Sequence, residues 1–108
     1  MAAITLQTLT LGGAVSTLVA ASGGGDTCPA GDGIFLEVNN GSGSSVTVTI
    51  ATPGTVDGLA IADRAVAIPA GERWKIPVGR RYAKADGSAD VTYSSATTVT
   101  VGAFRVPA

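Results

Sequence analysis

The strongest constraint on this chain is a set of short bursts in which β-branched and aliphatic residues alternate with polar ones at period two, each burst ending at glycine or proline. Ile34, Leu36 and Val38 share one side across Phe35 and Glu37, and Val46, Val48 and Ile50 alternate with Thr47 and Thr49. Period two turns one face of a strand to a core and the other to solvent. Asn40-Gly41 and the Gly/Ser run to Ser45 read as the loose tip of a hairpin between these two strands. Pro53-Gly54 supplies another turn. In Ile68-Pro69-Ala70-Gly71 the proline suits the second position of a type I turn and the glycine the fourth. Residues 73–76 are then expected to pair back, with Trp74 and Ile76 facing the core and Arg73 and Lys75 facing solvent. Asp86-Gly87 marks a further tight turn. Val91 and Tyr93 form the next alternating set, and residues 97–106 the last strand. About seven short strands at turn spacings of roughly 8 to 12 residues predict an all-β fold, a single antiparallel β-sandwich or small β-barrel. No stretch carries the period of an amphipathic helix.

The first residues, MAAITLQTLTLGGAVSTLVAASGGG, are apolar and end in small residues, as a secretory signal does. They lack a basic leading region, and Thr5, Gln7, Thr8, Thr10, Gly12 and Gly13 break the apolar run that a signal or a membrane span requires. Ile4 and Leu6, then Leu9 and Leu11, alternate with Thr and Gln. Residues 1–22 are therefore expected to form an extended N-terminal arm or first strand. Residues 14–21 are weakly patterned and suit either strand or a short helix. Gly23-Gly24-Gly25 reads as a hinge, and residues 26–108 as the sandwich body.

Missing residue types exclude whole chemistries. The 108 residues contain no histidine and one cysteine, which removes Ser-His and Cys-His catalysis, His-bearing zinc sites and an internal disulfide. Seven Lys and Arg against eight Asp and Glu give a net charge of −1, which disfavours nucleic acid as the main partner. Charged residues are only 14% of the chain, well below the usual quarter or so. Such a surface implies that self-association or a large partner covers part of it. The charges are also segregated: five acids and no base precede Arg64, whereas seven bases and three acids follow from there. Such halves neutralise each other within a compact domain, the favoured reading, or steer neighbouring copies together in an array.

Individual motifs carry little chemistry. Residues 26–33 hold Asp26 and Asp32 on a glycine-rich stretch, but Cys28 and Ala30 occupy the alternate positions where a calcium loop wants oxygens, so the stretch reads as an ordinary loop. Cys28 in that loop has no neighbouring base to activate it. Asn40-Gly41-Ser42 fits an N-glycosylation tripeptide, which matters only in a secretory context. Trp74 is expected in or near the core, or else as an interface anchor. Arg80, Arg81 and Lys84 around Tyr82 form the one basic cluster, expected to be solvated or to meet a protein. No catalytic, metal or cofactor-binding residue emerges, and no cofactor is expected.

Three stretches together resemble the small β-rich structural proteins that tailed bacteriophages, notably those of actinobacterial hosts, encode near the major capsid protein: MAAITLQTLTL, GDTCPAGDGIFLEVNNGSGSSVTVTI and VTVGAFRV. FLEVNNGSGSSVTVTI is the distinctive part. The resemblance implies a non-enzymatic head decoration or minor capsid protein on the outside of the virion capsid. Its partners would be the major capsid protein and copies of itself, as a homotrimer, with no direct contact to nucleic acid or membrane. Ile4, Leu6, Leu9, Leu11, Trp74, Arg80 and Arg81 are the candidate capsid or subunit contacts. A tail or head-tail connector component is the alternative reading, followed by a secreted adhesion or carbohydrate-binding module.

Overall fold

The computed structural model describes residues 2–13, 17–60 and 62–106. In chain order the strands are β1 (Ala2–Ala3), β2 (Leu6–Thr8), β3 (Val19–Ala20), β4 (Asp26–Pro29), β5 (Ile34–Asn40), β6 (Val46–Ile50), β7 (Thr55–Val56), β8 (Leu59–Ala60), β9 (Arg64–Ile68), β10 (Arg73–Pro77), β11 (Ser88–Tyr93) and β12 (Val99–Arg105), with one 3-10 turn at Arg80–Tyr82. One sheet has the order β1-β4-β11-β6-β9. The other runs β10-β5-β12-β2, with β3 also on β12, and β7 and β8 form a separate small hairpin.

The pairings are nested. β6 pairs with β9, β5 with β10, β4 with β11 and β3 with β12, all antiparallel. Successive pairs of this folded ribbon alternate between the two sheets. Contacts of β11 with β6 and of β12 with β5 close each sheet. This is the connectivity of a jelly roll, a β-sandwich. Leu36, Val38, Val48, Ile50, Val91 and Val101, all fully buried, fill the space between the sheets.

Several local expectations change in this topology. β5 and β6 lie in opposite sheets, so residues 41–45 form an arch across the sandwich and not a hairpin tip. Period-two alternation reports which side chains are buried and is silent about the partner strand. β9 and β10 are likewise in opposite sheets, and the turn between them sits one residue later than expected: Glu72 N–H donates to Pro69 O at 3.2 Å, with Gly71 at φ +77°. A positive φ at the third turn position favours glycine. Residues 26–29 are a strand with Asp26 and Cys28 buried, not a loop. The expected N-terminal arm is paired into both sheets. β1 runs parallel to β4 and β2 parallel to β12, and Ile4 between them is 5% exposed.

Asn40 ties the two crossovers together. Fully buried, its Nδ2 donates to Ser44 O and Ile68 O, both at 2.9 Å, while its Oδ1 accepts from Ser42 N–H at 3.0 Å. Its backbone N–H donates to Glu72 O at 2.9 Å and its carbonyl accepts from Gly71 N–H at 2.8 Å. An amide so enclosed is no glycosylation acceptor. Asn40→Ala removes these side-chain hydrogen bonds from a fully buried position and is expected to cost about 3 kcal/mol, read as a lower urea midpoint at unchanged slope.

Candidate functional site

The N-terminal segment builds the most distinctive surface feature. After β2, Leu9 N–H donates to Arg105 O at 2.9 Å, and the chain then leaves the sheet. Thr10 Oγ1 donates to Gly13 O on the outbound limb. The chain is back beside β2 at Thr17, where Gln7 Nε2 donates to Thr17 O at 2.7 Å and Gln7 Oε1 accepts from Thr17 N–H at 3.2 Å. One side-chain amide thus clamps the base of the excursion as a backbone pair would. Leu9 is half-buried and Leu11 is 100% exposed. Ala14, Val15 and Ser16, part of the stretch with ambiguous patterning, lie outside the described residues.

Beside this excursion lies a groove of about 360 Å³ lined by Ala3, Ile4, Thr5, Gln7, Thr17, Val19, Val101 and Gly102. Gly102 is required there. A Cβ on it would fall 2.8 Å from Leu18 Cδ2 and 2.9 Å from Thr17 O, so any side chain would push the returning limb off β12.

The other candidate contacts sit elsewhere. Ile4 and Leu6 are spent largely on the sandwich's own core. Trp74, expected in or near the core, is 38% exposed, and its Nε1 donates to Glu72 Oε1 at 2.8 Å. Its phase is inward, but β10 is an edge strand and the opposing sheet does not cover that margin. β10 and β2 are opposite edges of one sheet, so Trp74 and the N-terminal leucines do not share a site. Arg80 pairs with Asp32 at 2.7 Å, both ends exposed. Arg81 opens onto a cleft of about 250 Å³ lined with Thr52, Ala62, Asp63, Arg64 and Tyr82, in which Arg64 Nε donates to Tyr82 Oη at 3.4 Å. Arg64 and Arg81 have no ion-pair partner among the described residues.

The acidic and basic halves meet inside the domain. The register of β5 with β10 sets Lys75 opposite Glu37, whose side chain is 6% exposed and lies 3.4 Å from Lys75 Nζ and 3.6 Å from Arg73 Nη1. The two aspartates weighed as cation ligands serve different partners: Asp32 faces Arg80, while Asp26 accepts from Tyr93 Oη at 2.7 Å and from Ser22 N–H at 3.2 Å. Among the described residues no cluster of three or more Asp, Glu, Cys or His could hold a metal ion. The roles of Gln7, Asn40 and the Asp26–Tyr93 pair had no signal in the sequence, since each depends on a partner at least ten residues away in the chain or across the two sheets. No family model, curated protein or solved structure matches this chain.

Burial dictates the chemistry of the two weak acids here. The Cys28 thiol is pushed up to about 12 by burial. It should resist alkylation at neutral pH in the native protein and react fully in denaturant, as read by mass spectrometry. Burial, together with the hydrogen bond to Asp26, also raises the Tyr93 hydroxyl far above its ordinary range. The unfolded chain ionises these groups at their ordinary values of 9.0 and 10.0, whereas the folded chain keeps them protonated. Their stabilising contribution is therefore complete below the lower value and is lost above it, by up to about 1.4 kcal/mol per pH unit for each group. In urea titrations across alkaline pH, Cys28→Ala should delay the onset of this decline by about one unit, from the cysteine value to the tyrosine value.

Proposed function

We propose that this chain is a non-enzymatic structural protein that binds the outer surface of a mature tailed-phage head as a decoration or minor capsid protein. The observation that carries the reading is Leu11. This side chain is wholly exposed on an excursion clamped at its base by Gln7; with exposed Val19 on the returning limb and the groove beside it, it gives a partner more than one apolar side chain to cover. The resemblance of residues 25–50 to phage structural proteins supplies the class of partner. Jelly-roll connectivity is compatible with this role, being used in viral capsid domains, although the same fold serves lectins and cupins.

The mechanism is linkage. A protein that binds the expanded shell and not its precursor stabilises the expanded state by mass action. Contacts that are weak singly become strong when several engage one lattice, because each raises the effective concentration of the next.

Co-sedimentation with purified heads tests this. Saturable binding to mature heads at many copies per shell, and none to precursor heads, is expected. Leu11→Asp should weaken it roughly tenfold, the equivalent of losing one buried leucine contact, with unfolding midpoint unchanged. Binding of equal strength to both kinds of head, or to neither, overturns the reading.

A further inference from the structure

The edge of the first sheet at β9 leaves backbone groups without a protein partner among the described residues. Thr47 N–H donates to Ser94 Oγ at 2.9 Å, and its carbonyl accepts from Ser94 N–H at 2.9 Å. Ala51 N–H donates to Asp90 O at 2.9 Å. The odd-numbered residues of β6 therefore turn their backbone groups toward β11, and Val46, Val48 and Ile50 turn theirs toward β9. The register places these opposite Ile68, Val66 and Arg64. Ala65 and Ala67 are left with N–H and C=O directed away from the sheet, and no partner for them occurs among the described residues.

This edge differs from its neighbour. Val78 N–H donates to Ile34 O and Asn40 N–H to Glu72 O, each at 2.9 Å, so the residues of β10 that face outward are Arg73, Lys75 and Pro77. Charged residues and proline are the usual guards of an exposed edge, since they oppose strand addition. The outward positions of β9 are two alanines. Its side chains are exposed at Arg64, Ala65 and Ala67.

We propose that β9 pairs antiparallel with β9 of a second copy about a two-fold axis at Val66, so that the first sheets of two molecules run on as one. The pattern is self-complementary. A two-fold axis at Val66 sets Ala65 against the partner's Ala67, and Ala67 against the partner's Ala65. All four outward backbone groups on each strand are then satisfied, and the same register sets Val66 against the partner's Val66 as a cross-strand β-branched pair. Charge favours the same orientation. Arg64 and Arg81, without an acidic partner, lie at the leading end of β9, and antiparallel pairing brings the exposed Glu72 turn of the second copy to that side of the axis. Symmetry repeats the contact twice. The sparse surface charge fits a chain that buries part of its surface against itself. The pairing stands independently of the capsid reading.

Light scattering on the full chain at rising concentration, paired with amide hydrogen exchange, decides the matter. The expected mass is twice that of the chain, and the amides of Ala65 and Ala67 should gain protection as the dimer forms. Ala67→Pro removes an N–H that the monomer does not use and should halve the mass. Ala65→Pro should do the same and serves if the first variant does not fold. Arg64→Glu should weaken association about tenfold, and combining it with Glu72→Arg should restore it. A monomer at every concentration, a trimer, or a dimer in which the Ala65 and Ala67 amides exchange freely overturns the proposal.

Discussion

The enclosed amide of Asn40 holds the architecture in register. Both strand crossovers that fold the ribbon over, the arch at residues 41–45 and the turn at residues 69–72, end on this one side chain and its backbone. A buried amide has a large desolvation cost unless its donors and acceptor are used. Here they are used only when β5, β6 and β9 stand in one arrangement. A slip of β5 by one residue would bury Glu37 or Asn39 in the core and break the bonds from Asn40 Nδ2 to Ser44 O and Ile68 O. The polar group thus selects among packings that apolar burial alone would treat as similar.

Around that fixed point the sandwich deals with its margins unequally. The N-terminal strands β1 and β2 cover one side of each sheet by parallel pairing, and β3 completes the cover of β12. The close approach of Leu18 to Gly102 depends on the missing Cβ. On the same outer face Phe35 and Phe104 stack at 5.6 Å between ring centres, leaving Phe104 2% exposed. At the opposite margin β10 is guarded by Arg73, Lys75 and Pro77, and β9 is not guarded.

Charge is organised on the same scaffold. Glu37 sits almost buried on an outer sheet face because two bases from β10 flank it, and truncating one partner of such a group costs far more than the pair contributes at a solvated site. The exposed Arg80–Asp32 pair adds little to stability, whereas Lys84 and Asp90, 2.8 Å apart, are both half-buried. The part-buried polar pair of Asp26 with Tyr93 links β4 to β11 at the end of the core. These two strands are 67 residues apart at that pair.

Much of the element content was legible from local pattern. The period-two runs at 34–38, 46–50 and 91–93, with turn residues between them, specify strands and the inward side of each, because alternation of side chains is a property of one strand alone. Composition by itself removes histidine chemistry and an internal disulfide. Strand partners, by contrast, were decided by tertiary structure. The expected hairpin of β5 with β6 became an arch, the N-terminal arm or first strand became two parallel strands, and Trp74, expected in or near the core or as an interface anchor, stands part-exposed on an edge strand. Each change has the same physical origin: hydrogen bonds between strands and the cover over a side chain depend on residues distant in the chain, and period-two alternation is identical whichever neighbour the strand takes.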